Sequence, residues 1–289
     1  MDLIPVVVVA SVGVGGVVLA MNILVTAPPI AIARSPLPST SAGPSFPASP
    51  SLLPFATEEA SITPAPVASL TDHVPRFVHS FIGLSDPAGV WTYYLSYPAF
   101  ITGETPWAVQ IDTDIRAEMN TRAAQWQVGP AAERTVKGKM NSLIGSFVTE
   151  MLTPSIASWT LTFVDNSLPS GPVTSTETLD YDLSTGQRMV LDDIFIDSES
   201  ATTLLSNLAP AILQRTLGSA YNATLAIQGT TPQSSNWNNW AITKAGLKVI
   251  FDQYQVTPGP DVVSIVVPWS QLTSIMNETG PVARLAGLG

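Results

Sequence analysis

The sequence predicts an α+β fold: an antiparallel or mixed sheet with two main helices packed on it, preceded by an N-terminal transmembrane or signal segment and a Pro/Ser-rich linker. Three observations carry this. The stretch Asn236 to Leu272 alternates apolar and polar residues in runs separated by Gly- and Pro-bearing turns, the period-2 pattern of strands. Ile111, Ile115, Met119 and Trp126 fall on one face of a helix, since three- and four-residue steps return to the same side. Leu204, Leu205, Leu208, Ile212, Leu213 and Leu217 do the same further along.

Along the chain, Leu3 to Ala27 is an apolar run long enough to cross a bilayer. The small residues Ala31 to Ala33 also resemble a signal cleavage site. Residues 1–27 are therefore expected to be a membrane anchor or uncleaved signal segment, and to be the part that meets the membrane. Residues 28–66 hold ten of the 25 prolines among Ser, Ala and Thr, a composition that stays extended. The folded domain is expected over 67–289.

Val90 to Ala99 has the aromatic and β-branched content of a strand. Thr105 and Pro106 suit an N-cap and first helical residue, and Gly129 with Pro130 ends that helix. Val136 to Leu152 reads equally as a hairpin or a short helix. Ser158 to Val164 alternates, with Trp159, Leu161 and Phe163 on one side, and Val173 to Leu183 does so with Leu179, Tyr181 and Leu183 inward. Ser198 is placed to cap the second helix, Gly218 to end it, and Pro210 to kink or split it. In the last stretch Leu247, Val249 and Phe251 should face inward, opposite Lys248, Ile250, Asp252 and Tyr254. Val262 to Pro268, nearly all apolar, should be covered on both faces. Ser270 is expected to start a final short helix holding Leu272, Ile275 and Met276.

Composition excludes several chemistries. The chain has 289 residues and no cysteine, so it has no disulfide framework, thiolate nucleophile or zinc-finger spacing. A net charge of -10 without any basic stripe argues against nucleic acid as a partner. The acids Asp180, Asp182, Asp192, Asp193, Asp197 and Glu199 cluster in sequence. Asp180, Asp182 and Ser184 take alternate positions of a calcium loop, but its glycine comes one place late and Leu191 stands where the closing glutamate belongs. No metal ligand and no cofactor is therefore assigned, and Asp180 and Asp182, at alternate strand positions, read as a solvated face. His73 and His79 sit at the linker's edge, and no Gly-x-Ser-x-Gly elbow occurs, so no catalytic set is readable. Trp240 and Trp269 suit a core. Trp237 lies among Ser234, Ser235, Asn236, Asn238 and Asn239 and is expected as an exposed loop aromatic, which makes Trp237, Asn238 and Asn239 the candidate binding residues.

Four segments carry a resemblance to a known family. They are NWNNWAITKAGLKVIFDQYQVTPGPDVVSIVVPWSQL (Trp240, Thr243, Gly246, Leu247, Phe251, Tyr254, Val266, Pro268 and Leu272 at its recurring positions), YDLSTGQRMVLDDIF, DPAGVWTYYLSYP and IDTDIRAEMNTRAAQW. Together, from about Asp86 to Met276, they resemble the RsiV-like extracytoplasmic domain family, in particular its secreted mycobacterial immunogenic (MPT/MPB) type. The family's Gly-Gly-Ala-His or Gly-Gly-Thr-His turn is replaced here by LPSGPVT, Leu168 to Thr174, so any role of that turn is not carried over. Lysozyme-sensing and peptidoglycan-deacetylating members attach further regions that are not read here. The resemblance implies a non-catalytic extracytoplasmic binding module, membrane-anchored or secreted, that contacts an envelope protein or glycan. The alternatives are an envelope hydrolase acting on glycans or esters, and an accessory subunit of a membrane complex.

Overall fold

The computed structural model of the chain describes residues 73–87, 89–128, 140–169 and 171–287. The expected anchor, the linker, the domain's start and the helix terminator at Gly129 and Pro130 lie outside them. Among the described residues no helix is long and apolar enough to cross a membrane.

The α+β class holds, but the strands form two sheets where one was expected. The first has six strands in chain order, β1 (Phe77–Ser85), β2 (Trp91–Phe100), β3 (Asn141–Leu152), β4 (Ile156–Asp165), β5 (Val173–Asp182) and β6 (Gln187–Arg188). Neighbours are antiparallel except β2 and β3. That parallel pair needs a crossover, and helix α1 (Ala108–Val128) lies between them in sequence. The second sheet is an antiparallel meander of β7 (Trp240–Ile242), β8 (Gly246–Phe251) and β9 (Val263–Pro268). Between the sheets in sequence come α2 (Leu191–Ile194), α3 (Ser198–Leu217) and α4 (Ala223–Gly229).

Each long helix makes one core. The α1 stripe of Ile111, Ile115, Met119, Ala123 and Trp126 packs with Leu95, Tyr97, Trp159, Leu161, Phe163, Leu179 and Tyr181. Ala201, Leu205, Ala209 and Leu213 of α3 pack with Leu247, Val249, Phe251, Ile265 and Val267. Asp197, rather than Ser198, caps α3 by accepting the Ser200 N–H at 2.6 Å. Both residue types suit an N-cap, and here the Asp197 carboxylate, one residue before the first helical turn, takes the position. Gly218 ends the helix at φ 54. Pro210 neither splits nor ends it, because the packed stripe on either side compensates for one missing donor.

Other local readings change where tertiary cover decides. From Asn141 onward the ambiguous segment is strand β3. Strand β8 is covered on both faces, with Ile250 buried, and β9 on only one, so Ser264, Val266 and Pro268 are exposed. Cover comes from what packs on each face: β7, an edge strand like β9, is buried throughout where it meets the first sheet, whereas one face of β9 is left open whatever its apolar content. The expected helix at Ser270 is two 3-10 turns, Trp269–Gln271 and Thr273–Ile275, which still bury Leu272 and Met276.

The second sheet meets the first through β7. The Ile242 N–H lies 3.0 Å from both Ser158 Oγ on β4 and Asp180 Oδ1 on β5. Nearby, Lys248 Nζ is 2.6 Å from Glu150 Oε1, so a charge pair joins β8 to β3.

Candidate functional site

A cleft of about 600 Å³ opens where β5, β6, α2, the start of α3 and the loop before β7 converge. Local chain chemistry builds it. Asp182 Oδ1 accepts from both the N–H and the hydroxyl of Ser184, at 2.8 and 2.6 Å, an Asx turn. Gly186, at φ 74, completes the reversal under the ring of Trp107, which a Cβ would strike at 2.6 Å. Arg188 thereby lies opposite Tyr181, and the Met189 N–H reaches Asp180 O at 2.7 Å. Asp193 then accepts the Val190 N–H, and the Asp197 cap turns Glu199 toward the opening.

The acids grouped by sequence therefore have separate roles. Asp182, Asp193 and Asp197 hold turns and helix starts, Asp192 and Glu199 line the cleft, and Asp180 sits in its wall at 2% exposure. The expected solvated pair of Asp180 and Asp182 is thus corrected, because β7 covers the face that Asp180 shares with Thr176 and Thr178. Among the described residues no group of three His, Asp or Glu is placed to hold a metal ion.

Burial pushes the Asp180 carboxyl up to about 7, against the opposing pull of the Ser158 hydroxyl, the Ile242 N–H and the Arg188 charge. A carboxylic acid that keeps its proton to neutral pH is able to donate it. Arg188 is fixed alongside, with Nη2 on Thr178 O at 2.9 Å and Nη1 on Glu118 Oε2 at 3.2 Å.

Trp237 is not the exposed aromatic expected. Its ring is 1% exposed, donates from Nε1 to Thr231 O at 2.8 Å and meets Phe251 edge-on. A 3-10 turn over Ser234–Trp237 folds the ring inward, where its area is better buried. It still lines the cleft with Trp240 and the exposed Asn238, while Asn239 donates to Asp252 Oδ1 at 3.4 Å. Trp269 and Trp240 are core residues as expected. His73 bonds Glu104 and His79 packs on Phe147, both away from the cleft. The residue missed by sequence is Asp180. No signal in the sequence separates it from the solvated reading, since Thr174, Thr176 and Thr178 on its own face suit a water-covered strand equally well.

Residues 192–270 match the family described as "Protein of unknown function (DUF3298)". Over 103 residues the chain is 31% identical to the peptidoglycan-N-acetylmuramic acid deacetylase PdaC of Bacillus subtilis (strain 168); the match takes in 35% of this chain and 22% of that protein. The chain thus spans about a fifth of that relative's length. A DUF3298 family protein from Pseudomonas aeruginosa PAO1 shares the fold at a TM-score of 0.50 and 12% identity, over 71% of this chain and 96% of its own. A DUF3298 family member from Bacteroides fragilis matches at a TM-score of 0.48 and 16% identity, over 74% and 98%. The expectation of a non-catalytic module is corrected by these findings, since the curated relative is an enzyme acting on peptidoglycan, and the cleft holds a buried acid where an exposed aromatic loop was expected. Residues 192–270 are thus similar to the DUF3298 family.

Proposed function

We propose that the chain is an extracytoplasmic, RsiV-like unit that acts as a hydrolase on acylated glycans of the cell envelope, with the Asp180 cleft as its active site. The observation that carries the reading is a carboxyl group held in its acid form up to about 7 in the wall of a cleft that also contains Asp192 and Glu199. Hydrolysis of an amide or ester needs a base to take a proton from water and an acid to protonate the leaving nitrogen or oxygen. In this reading Glu199 takes the proton as the water oxygen bonds to the acyl carbon. Asp180 gives its proton to the sugar nitrogen or oxygen as that bond breaks, leaving acetate and a free amine or hydroxyl. Val190, exposed in the cleft lining, offers an apolar contact for the C–H face of the sugar, and Asn238 is the polar contact at its rim.

The test is acetate release from acetylated peptidoglycan by the purified protein. Asp180→Asn and Glu199→Gln should each slow release by about 10²- to 10⁴-fold, as loss of a general acid or base does. The wild-type rate should fall on the alkaline side of about 7 as Asp180 loses its proton. Absence of acetate release by the wild type, or a full rate in Asp180→Asn, would sink the reading.

A further inference from the structure

Beside the cleft lies a second pocket of about 360 Å³, and the two share Thr178, Arg188 and Asn238. It sits on the open edge of β5, because β6 pairs only with Tyr181 and Asp182 and leaves the strand uncovered before them. Glu118 and Arg122 of α1 face it from one side, and Asn238 and Asn239 from the other.

We propose that this pocket is a second saccharide subsite, so that the groove binds a glycan chain through neighbouring sugar rings. The proposal rests on the glycan reading of the cleft and extends it. One observation independent of that reading points to a ligand. Thr176, in the pocket's lining, is 8% exposed, and its Oγ1 has no hydrogen-bond partner among the described residues. An orphaned hydroxyl is costly in a folded protein, and rotation of χ1 between staggered wells brings it to a ligand without backbone movement.

The rest of the lining selects the ligand's class. Two carboxyls, Glu118 and Glu177, face two guanidinium groups, Arg122 and Arg188. Arg188 lies 3.2 Å from one carboxyl and 3.5 Å from the other. Arg122 is held by Ser175 Oγ at 3.1 Å and by the Phe163 ring at 4.1 Å. The charges balance, so a free anion or cation gains little. A neutral polyol gains from the alternating donors and acceptors of Thr, Asn, Glu and Arg. Because Arg188 and Asn238 belong to both pockets, one chain passing from cleft to pocket keeps contact with each.

The experiment compares binding of N-acetylglucosamine and its β-1,4 tetramer to the whole chain by calorimetry, with acetate release read in parallel. The tetramer should bind at least about tenfold more tightly, the worth of one or two net hydrogen bonds. Thr176→Val and, separately, Glu177→Gln should each lower that tetramer-to-monomer ratio several-fold in protein whose melting temperature is retained. A ratio near one in the wild type, or a ratio untouched in both variants, overturns the proposal. So does a muramoyl peptide with one sugar that binds as tightly as the tetramer, because the occupant would then be a peptide. Chain-length dependence without any acetate release leaves the subsite standing and removes the hydrolase reading, whereas acetate release without chain-length dependence does the reverse.

Discussion

The two faces of the six-stranded sheet bury comparable strands by different means. Toward α1, Trp159, Leu161, Phe163, Leu179 and Tyr181 meet Ile111, Ile115 and Met119, and Trp159 makes edge contacts with Phe77, Phe100 and Tyr181. Toward β7, the same two strands present Ser158, Thr160, Thr176, Thr178 and Asp180, all buried. The first face is held by apolar area and shape. The second is held by a few hydrogen bonds around one carboxyl, a weaker arrangement that leaves room for chemistry. Stability and the candidate site thus occupy opposite sides of the same strands.

Removing the centre of the apolar face should produce the largest effect. Trp159→Ala should cost about 3–5 kcal/mol, the usual range for a fully buried aromatic, seen as a lower urea midpoint. If the loss were under about 1 kcal/mol, the apolar face would not be the main source of stability.

The polar face should respond in the opposite sense. The folded-state value of Asp180 is raised to about 7 from an ordinary 3.8. The unfolded chain therefore gives up this proton first, and the folded state loses stability as pH climbs from about 4 through about 7. Asp180→Asn keeps an acceptor for the Ile242 N–H and has no proton to lose. It should be more stable than wild type at pH 8, by an amount on the order of 2–4 kcal/mol, and should match it closely near pH 4. Urea titrations at both pH values measure this. A gain in stability with a loss of acetate release would mark Asp180 as a functional group kept at a structural cost.

The contrast between the faces also explains what the sequence made legible. Trp159, Leu161 and Phe163, like Leu179 and Tyr181, alternate with polar residues, and Ile111, Ile115 and Met119 keep helical spacing, so the α1 core could be read from period alone. Asp180 could not, because a polar residue at an alternate position looks the same whether water or β7 covers it. Trp237 failed for a related reason. Its polar neighbours place it in a loop, but the turn that folds the ring onto Phe251 depends on Thr231 and Phe251, which periodicity does not connect to it. The reversed burial of β8 and β9 again turns on what packs over each face, a property of the assembled fold rather than of either segment.

A smaller effect comes from Glu104, whose carboxyl is also nearly covered but shifts the other way. Arg76 donates to it from the guanidinium Nε at 2.8 Å and from its backbone N–H at 3.1 Å, and His73 adds a contact at 3.1 Å. The Arg76 hydrogen bonds hold this carboxyl down at about 2, outweighing the upward pull of burial. Sign follows from the direction: the contribution is present above the ordinary carboxylate value of 4.5 and is lost as pH falls toward about 2. Glu104→Gln should therefore lower the melting temperature at pH 7, and the difference from wild type should shrink as the scan moves from pH 5 toward pH 2. Asp180→Asn should lose its difference from wild type already near pH 4, with the wild type the less stable protein above it. If both variants converged with wild type from the same side, burial alone would govern the two carboxyls, and the ion-paired character assigned to Glu104 would be wrong.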